Sequence, residues 1–151
     1  MPLNNVFEDF QRDISYRIFS CEGGIALTAS MKDVFHDIFI EVRVDADSMR
    51  ISSAMVNFLQ HPTEYCPEIE RAMAALVGTV IGKGMSKRLS ELFGGSEGCG
   101  NIRTMLMGLL PLALNAKAAA GIKDGSELLE KIRKELTGTC IGYPETGKRT
   151  M

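Results

Sequence analysis

The sequence predicts an α+β domain: a small antiparallel meander of about four strands, followed by helices packed on one of its faces. Two patterns carry this expectation. The first third of the chain alternates apolar and polar residues with period two, the mark of a half-buried strand. After His61-Pro62-Thr63 the apolar spacing becomes helical. The chain has 151 residues, 45% hydrophobic and 24% charged, so one domain with one core is expected, its core spanning about 12–138.

The strands are predicted in order. The turn Glu22-Gly23-Gly24 joins Asp13–Cys21 to Ile25–Met31, in which Ile25, Leu27, Ala29 and Met31 share one face. Ile38, Ile40, Val42 and Val44 share a face in the next strand, with Glu41 and Arg43 opposite. Asp45-Ala46-Asp47-Ser48 is a turn cluster, after which Met49, Ile51, Ser53 and Met55 resume the alternation.

The helices come next. Cys66-Pro67-Glu68-Ile69-Glu70 reads as a helix start, with Pro at a favoured position and two glutamates in the first turn. Ile69, Met73, Leu76 and Val77 form its apolar face, and Gly78 is its cap. A short helix is expected from about Ser86 to Phe93, stopped by Gly94-Gly95. The longest begins near Cys99, faces inward through Ile102, Met105, Leu106, Leu109 and Ala113, and kinks at Pro111. The last opens at Asp124, whose spacing to Glu127 resembles a capping box. Its Leu128, Leu129, Ile132 and Leu136 are expected to face the core, and the tail from Cys140 is expected to be loop-like.

Composition excludes several classes. The hydrophobic content is too high, and the formal charge of −2 too small, for a disordered chain. The absence of a basic tract argues against a nucleic-acid partner. The first residues, Met1-Pro2-Leu3-Asn4-Asn5-Val6, lack a secretory signal pattern. The most apolar stretch, 104–120, is interrupted by Pro111, Asn115 and Lys117 and falls short of the ~20 residues a membrane span needs. A cytoplasmic protein with reduced thiols, no membrane partner and room for a protein partner is expected.

Chemistry is expected at the cysteines. Cys66 and Cys99 both stand at predicted helix starts, where a thiol is favoured as thiolate, the form that binds metal or attacks electrophiles. Gly98 and Gly100 flank Cys99 and allow close approach. His36 and Asp37 head a strand. Thiolates with imidazole and carboxylate suit zinc or iron, so His36, Asp37, Cys66 and Cys99 form the candidate metal site. Cys140 follows the last helix and is supported only by resemblance to a known family, and Cys21 is read as a packing residue. Against a metal site stands the lack of a local paired C-x-x-C. Gly82-Lys83-Gly84-Met85-Ser86-Lys87 lacks the phosphate-loop pattern, no nucleotide or flavin motif occurs, and no G-x-S-x-G elbow is present. The methionines at 49, 55, 73, 105 and 107 read mostly as core filling.

Four segments also carry a resemblance: Phe35-His36-Asp37, His61 through Cys66-Pro67, Phe93-Gly94-Gly95-Ser96-Glu97-Gly98-Cys99-Gly100-Asn101-Ile102, and Thr137-Gly138-Thr139-Cys140. They resemble an uncharacterised bacterial family, known as a domain of unknown function, with a Gly-Gly-x-x-Gly-Cys-Thr-His-Leu-type motif. Asn101 stands where that family usually has His; if that His is a ligand or base in its relatives, it is lost or replaced by a weaker group here. More remotely, the order of elements is similar to iron–sulfur scaffold proteins of the NifU type. That resemblance implies a small antiparallel sheet with helices on one side. It places His36 near the scaffold's first Cys, Asp37 near its Asp, Cys66 at its second Cys and Cys99 at its third. The absence of the first Cys weighs against cluster assembly. Three functions therefore stand: a metal- or cluster-handling domain, a thiol-dependent enzyme or sulfur-relay protein using Cys99, and a non-catalytic binding or assembly module with structural cysteines.

Overall fold

A computed structural model of the chain describes residues 2–145. Its first four elements are strands: β1 (Asp13–Cys21), β2 (Gly24–Lys32), β3 (Asp37–Asp45) and β4 (Ile51–Gln60). They form one antiparallel sheet in the order β1-β2-β3-β4, the predicted meander. Cys21 pairs with Gly24 across a two-residue turn, and Gly23 takes φ +75°, a left-handed conformation that glycine adopts without steric cost. The turn between β3 and β4 is closed by the Asp45 carboxylate, which accepts from the Ser48 amide at 2.8 Å and from its hydroxyl at 2.9 Å.

After the sheet come a single 3-10 turn (Cys66–Ile69), α1 (Glu70–Leu76), α2 (Met85–Phe93), α3 (Gly100–Leu109), α4 (Pro111–Ala118) and α5 (Gly125–Glu135). The expected long kinked helix is α3 and α4, divided at Leu110 because Pro111 has no N–H to continue the ladder. The core lies between one sheet face and the helices. Leu27, Met31, Ile38, Ile40 and Ile51 come from the sheet; Met73, Leu76, Leu89, Phe93, Ile102, Met105 and Leu106 come from the helices. Each is nearly inaccessible, and burying a side chain of this size contributes about 1.5–3 kcal/mol.

Two expectations about facing residues are corrected. The pairing of β3 with β4 shifts register between Arg43 and Val44, so Val42 faces Ala54, Ile40 faces Val56 and Ile38 faces Phe58. One extra residue flips every side chain beyond it. Met55, expected inward, is consequently 50% exposed, while Met49, Met73 and Met105 are buried as expected. The second correction concerns α5. Asp124 caps it by accepting from the Ser126 amide at 3.0 Å, but no residue of α5 is buried, and Leu129 is 59% exposed.

The chain divides into two compact units, one up to Lys117 and one from Ala118. The larger contains the sheet and α1 to α3; the smaller contains α5 and a turn in which the Gly138 amide donates to the Tyr143 carbonyl. The smaller unit holds one full helix, on which Leu129 is exposed, and Leu136 just after it is exposed too. Among the described residues, no helix is long and apolar enough to cross a membrane.

Candidate functional site

Cys66 and Cys99 line one cleft of about 590 Å³ in the larger unit. Both are partly buried. Its walls come from the 3-10 turn, α1, the end of α2 and the loop before α3. The ionisable side chains on these walls other than the thiols and Tyr65 are Glu68, Glu91, Glu97 and Arg71.

Local sequence explains where each thiol sits. Cys66 opens the 3-10 turn that Pro67 favours. Its amide donates to the Thr63 carbonyl at 3.4 Å, and its Sγ lies 3.5 Å from the Thr63 hydroxyl. That turn runs directly into α1 at Glu70, so Cys66 opens a helical run, as expected, whose first four residues are 3-10. Cys99 is the N-cap of α3, with φ −143° and ψ 114°, and its carbonyl accepts the Arg103 amide at 3.0 Å. Gly98 sets the approach to it. A Cβ at Gly98 would stand 2.0 Å from the Phe93 carbonyl oxygen and 2.7 Å from the Gly94 nitrogen, so only glycine fits there.

His36 is held elsewhere. It follows Asp33 in the turn between β2 and β3, and the Asp33 carboxylate accepts the amides of Phe35 and His36, each at 2.8 Å. The same carboxylate lies 2.9 Å from His36 Nδ1 and accepts from Arg12 Nε at 2.8 Å. Burial pushes the Asp33 carboxyl up; the hydrogen bonds from Arg12, the His36 ring and the two amides outweigh it and hold its pKa at about 2. The Asp33 side chain is fully inaccessible to solvent. On the far side of the imidazole, Asn101 Nδ2 lies 3.2 Å from His36 Nε2. Arg12 Nη1 donates to Asn101 Oδ1 at 3.2 Å and closes a four-membered polar ring.

The structure thus brings Cys66 and Cys99 to one cleft and leaves His36 and Asp37 off its lining. Both nitrogens of His36 are engaged by Asp33 and Asn101. Asp37 pairs with Lys32 at 3.6 Å. Among the described residues, no three or more His, Cys, Asp or Glu are grouped to hold a metal ion, so the expected four-ligand set is not gathered. Cys21 ends β1, and Cys140 is exposed in the smaller unit. Two cleft thiols are too few to hold an iron–sulfur cluster by themselves, because such clusters take four protein ligands. They fit part of the donor set of a single soft or borderline ion.

Arg12, Asp33 and Asn101 as a polar set with His36 were not legible in the sequence. Asp33 did carry a signal, since an Asp at the start of a turn favours side-chain hydrogen bonds to the backbone two residues on. The Arg12 and Asn101 contacts join residues 21 and 89 positions apart and have no local signature.

Residues 7–115, which hold the sheet, the ring and both cleft cysteines, match a family model described as a protein of unknown function (DUF2889). No curated protein and no solved structure matches the chain.

Proposed function

This chain belongs to the DUF2889 family, whose function is unknown, and we propose that its working site is the two-thiol cleft and that it binds a thiophilic cation there. The observation that supports this reading is the convergence of Cys66 and Cys99, distant in sequence, on one cleft. Glu68, Glu91 and Glu97 outnumber Arg71 on the same walls, so the local field favours a cation over an anion. Zinc or ferrous iron is the class that two thiolates suit. Cys66 and Cys99 would supply two donors and leave the other positions to solvent or to a molecule delivering the ion. Such an open arrangement suits uptake and release better than a closed structural site. Both donors must be deprotonated, so binding weakens as pH falls.

The test is titration of the metal-free chain with zinc and with ferrous iron. One ion is expected to bind, and Cys66→Ser and Cys99→Ser are each expected to weaken it about tenfold or more. A wild-type chain that takes up neither ion, or serine variants that bind as tightly as wild type, would overturn the reading. The place of Cys99 at the head of the ten-residue α3 favours a second reading, in which its thiolate is a nucleophile. That version predicts no metal uptake and a single fast-alkylating cysteine.

A further inference from the structure

We infer that Asn101 is a positioning residue for Cys99, acting through the ring it closes with Arg12, Asp33 and His36. The inference rests on the cleft reading above and explains how one of its two thiols is kept in place. Cys99 stands between two glycines, and a Cβ at Gly100 would meet nothing within 4 Å. Glycine on both sides gives the backbone wide freedom, so anchoring must come from beyond them. On one side it comes from the Phe93 carbonyl, which leaves no room for a side chain at Gly98. On the other it comes from Asn101, two residues into the chain from Cys99.

The ring fixes Asn101 in one orientation. Arg12 is always a donor, so the atom facing its Nη1 must be the amide oxygen. The Asn101 nitrogen then faces His36 Nε2 and donates to it. His36 Nε2 is therefore an acceptor, and Nδ1 carries the proton towards the Asp33 carboxylate. Each member has one polarity that satisfies both neighbours. Arg12 lies just before β1 and His36 just before β3, so the first turn of α3 is tied to the sheet from two directions. Helix capping does not account for these contacts, since no side chain caps α3.

The experiment measures alkylation of the metal-free chain by iodoacetamide, with Cys66 as the internal reference. Asn101→Leu is expected to raise the rate of Cys99 relative to Cys66 about fivefold, because local opening of the α3 start exposes the thiol. Asn101→His is expected to restore the wild-type ratio, since a neutral imidazole also offers one donor and one acceptor. Arg12→Lys serves where Asn101→Leu does not fold. It keeps a positive charge near Asp33 but loses the fork that reaches both partners, and it should raise the ratio in the same direction. An unchanged ratio in Asn101→Leu or Arg12→Lys, or failure of Asn101→His to restore it, overturns the inference. The readout needs no bound ion. A chain that takes up no zinc but shows the altered ratio loses the metal reading and keeps the positioning role; the reverse pattern does the opposite.

Discussion

Asp33→Ala is expected to lower the free energy of unfolding by about 2–3 kcal/mol, because it removes an inaccessible carboxylate and leaves the turn amides and the His36 ring that face it without their acceptor. The Asp33 carboxylate, itself inaccessible, accepts from Arg12, lies against His36 Nδ1 and accepts two turn amides, while the Arg12 side chain keeps about a third of its surface in solvent. Its loss leaves the two amides and the imidazole without this acceptor, while Arg12 turns to solvent. Asp33→Asn keeps the shape and loses the charge, so it should fall between wild type and Asp33→Ala. Urea unfolding midpoints measure both. A change below about 1 kcal/mol for Asp33→Ala would show that Arg12 and His36 find other partners. The same carboxylate gives a pH signature. Its folded pKa of about 2 lies below its usual 3.8, so its contribution is fully present above the higher value and is lost as pH falls through about 2. Asp33→Asn should flatten that part of the acid-unfolding curve.

Gly98→Ala is expected to be the other severe substitution, costing about 3 kcal/mol. The added methyl would sit 2.0 Å from the Phe93 carbonyl oxygen, and both the oxygen and the neighbouring Gly94 nitrogen are backbone atoms that cannot rotate away. The loop must shift, and Cys99 shifts with it. Gly100→Ala is the contrast. Its Cβ would enter open space at the start of α3, so it should be neutral or stabilise by about 0.4–1 kcal/mol through the unfolded state. Thermal unfolding of the pair separates them. Equal midpoints would mean that the Phe93–Gly98 packing is softer than this geometry implies.

β3 was legible because one of its faces meets the core and the other does not, which writes a period of two into the sequence, whereas β1, which buries no residue, was read from the turn that follows it. β1 follows its expected bounds, and β2 and β3 extend theirs by one residue at each end or fewer. The helices were legible for the same reason at a different period, with Gly94 and Asp124 marking a stop and a start. The register between β3 and β4 was not legible, because a bulge is decided by how the two strands fit together. Nor was the exposure of α5. An amphipathic face shows that a helix can be covered, not what covers it.

The cysteines divide along the same line. By itself, the sequence determined an α+β meander with helices after it, and it singled out Cys66 and Cys99 among four thiols by their positions at helix starts. Those are local properties of backbone and periodicity. Only the tertiary structure decided which of the expected ligands meet. It placed Cys66 and Cys99 on one cleft and turned His36 into a ring with Arg12, Asp33 and Asn101. Contacts of that kind depend on loop closure between distant segments and on which buried polar group finds which partner. No residue type or spacing records that choice.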